Sequence, residues 1–272
     1  MTVVARPGVA AASGPAVAGL AARVVRRLTR WAAFVGAALL AWWAVLTVFD
    51  VEPYFMPGPG TTLSKLWEAR GTLADHALVT LWETVAGIAV ATGFAVALAV
   101  VFVTSPTAER ALLPLAVTFR SIPIVAVAPL ITLIAGRGLG TSIVCVTIVS
   151  FFPVLVNTAR GLRALTPEMR ELLRVCGASL PQAFRYARFP VTVPFLFAGL
   201  RSAAAVAVLG AMLAEWLTGT QGLGYLLTNA AALRDLPLLW SVVIVASSLS
   251  LGFFAAMAAV ERVLVRWSKG ES

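Results

Sequence analysis

A chain of 272 residues that is 60% hydrophobic and 12% charged, with a mean hydropathy of +0.92, is not a water-soluble domain, in which about a quarter of residues carry charge. Its 21 lysines and arginines outnumber 12 acids, giving a formal charge of +9. The basic residues gather beside apolar runs without interleaved aromatics, so a nucleic-acid-binding face is excluded. What remains is an all-α, polytopic membrane protein.

Residues 1–30 form a basic tail whose first 20 positions are Ala, Gly, Val, Pro and Ser without periodicity, a composition that predicts disorder. The apolar run 31–49 follows Arg23, Arg26, Arg27 and Arg30 and ends in Trp42, Trp43 and Asp50 with no small-residue cleavage site, so it reads as a retained signal anchor. Pro53 to His76, with Pro57-Gly58-Pro59-Gly60 and Trp67, reads as an outer-face connection containing a short interfacial helix, completing a segment 31–77. Five further runs long enough to cross a bilayer lie at 78–104, 111–135, 139–159, 193–217 and 237–260, within a core 78–267. The expected total is six spans.

His76, beside Asp75, has too few companions for a metal site and reads as a solvated loop residue. Glu83, Arg120, Arg201 and Glu215 fall in or beside spans, where a charge costs a few kcal/mol and therefore faces protein or a watery path. Arg201 and Glu215 are about 21 Å apart along one helix, too far to pair with each other. Each of the four serves either interhelical pairing or a pathway, and Arg120 would suit an anionic substrate. Pro114, Pro123 and Pro129 interrupt the third span, either as a packing kink or as a broken helix around a midplane site.

Between the fourth and fifth spans lies an arginine-rich segment, 160–192. Thr166 and Pro167 can open a helix with Glu168 and Glu171 in its first turn, and Gly177 can close it. Ser179 and Gln182 have capping-box spacing for a second helix, with Leu180, Ala183, Phe184 and Ala187 as its apolar stripe. Arg185 and Arg188 point away from that stripe, and Pro190 ends the helix. The result is a helix-turn-helix elbow. Further on, Gln221-Gly222-Leu223-Gly224 is a tight turn or an outer gate. Cys145 lies in a span and Cys176 in the elbow, so no disulfide is expected. The excess of basic residues on the tail, the elbow and the C-terminal end puts both termini and the elbow in the cytoplasm.

No catalytic or metal-binding motif and no phosphate-binding G-x-x-x-x-G-K-[ST] loop occurs, so ATP, if used, is bound by another chain.

Glu171, Gly177, Ala187, Phe189 and Pro190 together resemble the EAA motif of the membrane permease subunits of ABC importers. Leu172 and Leu173 replace the usual alanines, Ala187 an isoleucine and Phe189 a leucine, all apolar exchanges. Ile122-Pro123 with Ala126 and Pro129-Leu130, Phe152-Pro153 with Asn157, and Gly222-Leu223-Gly224 resemble the taurine, sulfonate, nitrate and pyrimidine-precursor branch of those permeases. The resemblance spans roughly residues 53–267; at Glu83 relatives often carry a basic residue instead.

This resemblance implies the type I permease fold in a bacterial plasma membrane. It implies two permease subunits, in the default case a homodimer, enclosing a path through membrane lipid. An ATP-binding cassette subunit holding ATP and Mg grips the elbow through Glu171, Gly177, Ala187, Phe189 and Pro190. An extracytoplasmic solute-binding protein delivers a small polar solute such as a sulfonate, taurine, nitrate or vitamin precursor. Arg120, Pro123, Pro129, Arg201 and Glu215 are the candidate path residues. An ion-gradient-driven secondary transporter or a membrane scaffold are the alternatives; the first would need more titratable groups at depth, and the second gives the broken span no purpose.

Overall fold

Within a bilayer the backbone must satisfy its own hydrogen bonds, and an apolar run does so as a helix. The protein, a computed structural model, is described over residues 26, 29–30, 33, 36–50, 52 and 55–265, and every regular element among them is helical. The expectations for most of the tail, for Pro53 and for the last seven residues lie outside the described residues.

The chain divides after Thr61 into two compact units. The first contains the apolar helix α1 (Gly36–Val48). Helix α2 (Pro59–Glu68) follows at the division. The second unit then runs through α3 (Arg70–Thr104), α4 (Pro106–Ser121), α5 (Ile124–Ala135), α6 (Leu139–Arg163), α7 (Pro167–Val175), α8 (Leu180–Ala183), α9 (Phe189–Thr218), α10 (Leu223–Ala232) and α11 (Leu236–Leu264).

Helix α6 is the centre of the second unit, packed against both α3 and α9, which also touch each other. Lipid is as apolar as leucine, so helices in a membrane associate by close packing of small residues instead of by escape from water. The sequence supplies them. Ala91, Ala95 and Ala99 recur every four residues on α3, and Ala203, Ala204, Ala207 and Ala211 line α9; all are fully buried. Gly87 meets Val146, Gly161 meets Phe195 and Gly210 meets Val149 so closely that a Cβ there would lie 2.5–2.8 Å from its neighbour. Large apolar side chains such as Leu133 and Ile134 point outward instead.

Among the described residues four helices are long and apolar enough to cross a membrane: Arg70–Thr104, Leu139–Arg163, Leu180–Thr218 and Leu236–Leu264. Three expectations change. The third run is two helices, α4 and α5, because Pro123 is held extended (φ −68°, ψ 111°) and keeps Ile122 out of the helical region. Helix α3 begins at Arg70, eight residues before the expected span, so His76 is helical and half-buried. Pro190 does not end the elbow's second helix: α8 passes through a π turn (Phe184–Arg188) straight into α9. There the Phe189 N–H donates to the Phe184 carbonyl, five residues back, and the widened turn makes room for the proline ring.

Candidate functional site

The elbow is built by local capping. Thr166 accepts from the Met169 N–H at 3.3 Å, with Pro167 in the first turn. Glu168's carboxyl is held below the usual carboxylate range, first by its own backbone amide and then by the Thr166 hydroxyl. Gly177, at φ +62°, closes α7: its N–H donates to the Arg174 carbonyl at 3.0 Å and the Ala178 N–H to Leu173 at 2.9 Å, the paired pattern of a glycine C-cap. The Ser179–Gln182 capping box opens α8, with the Ser179 N–H donating to Gln182 Oε1 at 2.8 Å.

No residue of α7 is buried. Met169, Leu172 and Val175 form an uncovered apolar row, and Leu180, Tyr186 and Phe189 continue the exposed surface; Glu171 is exposed beside them. The expected stripe of α8 divides. Ala187 is buried and Phe184 packs on the core beside Leu155 and Leu162, whereas Leu180 stays exposed. Arg188 does not point away: its guanidinium lies 5.0 Å from the Phe184 ring and is half-buried. Arg163, at the end of α6, bridges to Glu109 at the start of α4 at 2.5 Å.

A second feature is a cleft of about 560 Å³ among α4, α5, α6 and α9. Arg120 lines it from the end of α4, and Ile122 and Ile124 line it on either side of Pro123. Phe152, Asn157 and Arg160 contribute from α6, and Ser202 from α9. The Arg120 guanidinium sits 5.2 Å from the centre of the Phe152 ring. Asn157 donates to the Pro153 carbonyl at 2.8 Å, one turn back along α6. Sequence reasoning singled out Arg120 and Pro123 but not Arg160 or Ser202. Of the five candidate path residues only Arg120 lines the cleft; Pro123, Pro129, Arg201 and Glu215 lie outside its lining. Arg201 pairs with Glu261 of α11 at 3.0 Å.

Glu215 belongs to a buried clasp. Helix α10 opens with three successive N–H groups that a helix cannot satisfy itself. Gly222 donates to His76 Nδ1 at 3.0 Å, Leu223 to Thr80 Oγ1 at 2.9 Å and Gly224 to Glu215 Oε2 at 2.6 Å. Thr80 in turn donates to Glu215 Oε1 at 2.7 Å. Gly222 has φ +98°, and a Cβ there would strike the Glu215 carboxyl. Glu83, also buried, faces Glu215 and Ser142. His76 and Thr80 lie one turn apart on the same face of α3, but that spacing does not itself point to the amides they meet. Among the described residues no group of three or more His, Cys, Asp or Glu could hold a metal ion.

The family described as "Binding-protein-dependent transport system inner membrane component" matches residues 84–267. The riboflavin transport system permease protein RibX of Chloroflexus aurantiacus is 33% identical over 231 residues, covering 84% of this chain and 86% of the relative. The formylaminopyrimidine transport permease protein ThiX of Halalkalibacterium halodurans is 30% identical over 232 residues, covering 85% and 93%. A structure of the MetNI methionine ABC transporter in inward-facing conformations superposes with a TM-score of 0.65 at 17% identity, over 72% of this chain and 98% of that one. That likeness carries the fold, which is the type I permease fold.

Proposed function

The chain belongs to the binding-protein-dependent transport system inner membrane component family, the ABC permeases of the inner membrane, and from that premise we propose how this member works. It forms one half of the translocation path of an ATP-driven importer for a small polar solute, with a second copy as the other half. An ATP-binding cassette partner holds ATP and Mg, and a solute-binding protein delivers cargo at the opposite face. Both termini and the elbow face the cytoplasm, on the side where the arginines of 160–192 are concentrated.

The observation that carries this reading is the uncovered apolar row Met169, Leu172 and Val175 on a helix with no buried residue. Apolar surface left in water forgoes roughly 25 cal/mol per Å², so a partner groove is its stable environment. Glu171 and Gly177 shape the docking end, while Ala187, Phe189 and Pro190 join it to the bundle. Because α8 continues into α9, a push on the docked elbow passes directly into a membrane span.

The test is uptake of labelled taurine, alkanesulfonates, nitrate, riboflavin and hydroxymethylpyrimidine by cells lacking the chain, complemented with native protein or with Gly177→Asp or Gly177→Val. Nothing lies within 4 Å of a Cβ at Gly177, so both variants fit in space. At φ +62° valine is strained by roughly 1–2 kcal/mol, whereas aspartate tolerates that backbone and tests the docking surface itself. Uptake should fall at least tenfold with unchanged membrane abundance. Native uptake by both variants would sink the coupling role.

A further inference from the structure

The Arg120 guanidinium lies over Phe152, which sits about 20 Å from one end of α6 and about 17 Å from the other, near the middle of the span. An arginine side chain cannot reach either membrane surface from that depth. Arg160 lines the same cleft nearer the elbow. A cation at mid-bilayer costs roughly 2.5–3.5 kcal/mol on insertion scales, so it is ordinarily paired or in a watery path.

No acid lines the cleft, and neither Arg120 nor Arg160 has an ion pair among the described residues. The acids within or beside the spans are committed elsewhere. Glu261 is held by Arg201, Glu109 by Arg163, and Glu83 and Glu215 are buried in the α10 clasp. The remaining described acids are Asp50, Glu52, Glu68, Asp75, Glu168, Glu171 and Asp235, which lie outside the apolar runs or at helix ends. A second copy of the chain therefore has no free carboxylate at that depth to offer. The start of α5, where backbone N–H groups lack a side-chain cap, opens beside Arg120 and adds the positive end of a helix.

Resting on the permease reading, we propose that the Arg120–Phe152 end of the cleft is a midplane anion site and that the solute is a small organic anion. Arg120 supplies a planar fork for a carboxylate or sulfonate. Phe152, Ile124, Ile148 and Val206 receive the solute's apolar body, and Arg160 stands where the anion passes toward the elbow. A neutral solute would leave the guanidinium without a counter-charge.

The test reads the cleft's charge directly. In membranes holding the full chain with Cys176→Ser, a Ser202→Cys thiol in the cleft is labelled with anionic sulfonatoethyl or cationic trimethylammonioethyl methanethiosulfonate, each rate normalised to a free thiol in solution. The anionic reagent should be favoured at least tenfold, Arg120→Met should abolish the preference and Arg120→Lys should retain part of it. Butanesulfonate should slow labelling while riboflavin does not. Equal normalised rates, or protection by riboflavin alone, would overturn the proposal. Failure of the permease reading would show instead as uptake that the native chain does not restore for any solute of the panel, which this labelling does not touch.

Discussion

Glu215 is fully buried and both of its oxygens accept hydrogen bonds, from Thr80 and from the Gly224 amide. Removing the carboxylate strands two donors, each costing about 1–3 kcal/mol when left unpaired. Glu215→Ala should therefore lower stability by about 3 kcal/mol or more. Glu215→Gln should cost nearer 1 kcal/mol, because its carbonyl can keep Gly224 while Thr80 turns its hydroxyl toward the His76 carbonyl, 3.2 Å away. Thermal unfolding of the purified protein in detergent checks the order; equal losses would mean that the clasp does not carry the helix start. Legibility at this scale followed sequence distance. The caps at Thr166, Gly177 and Ser179 join residues a few positions apart, and spacing alone reveals them. The clasp joins His76 to Gly222, 146 positions apart, and no local pattern encodes that meeting. A lone histidine beside an aspartate looks solvated until the fold brings an amide to it.

The π turn Phe184–Arg188 is the element that makes elbow and span one body, a helix over Leu180–Thr218 of about 58 Å. It accommodates Pro190, whose ring would otherwise strike the carbonyl four residues back. Pro190→Ala removes the reason for the extra residue in that turn. Relaxation to a regular helix would rotate α8 by about 100° relative to α9 and turn the exposed row away from its partner. Membrane abundance and melting temperature should stay near native while uptake falls several-fold. Unchanged uptake would mean that the elbow's register is set elsewhere. Reading Pro190 as a helix end was sound for an α-helix; the continuation depends on Phe184 and Ala187 packing against the core, a tertiary contact that no proline rule contains.

At the scale of the molecule, hydropathy located the apolar runs because crossing a bilayer is a matter of length and composition. It did not find the interruption at Ser121–Pro123, since a run remains equally apolar whether its backbone is continuous or broken; the prolines of the run marked it, leaving a kink and a break both open. That interruption also bears on how the protein is made. Helix α5 is 12 residues long, about 18 Å against a hydrocarbon core of about 30 Å, and the polar backbone at its start has no cover of its own. Its neighbours on the cleft side, α6 and α9, come later in the chain. Synthesis must extend 28 residues beyond Ala135 to complete α6 at Arg163, a delay of a few seconds at about 5–20 residues per second. During that interval the nascent α4–α5 pair should remain held by the insertion machinery. Chains stopped at Ala135 should cross-link to it and be degraded when released, whereas chains stopped at Arg163 should pass into lipid and persist; equal persistence in pulse-chase measurements would show that α5 settles alone. The break that opens a cleft in the finished protein thus sets a waiting step in its biogenesis.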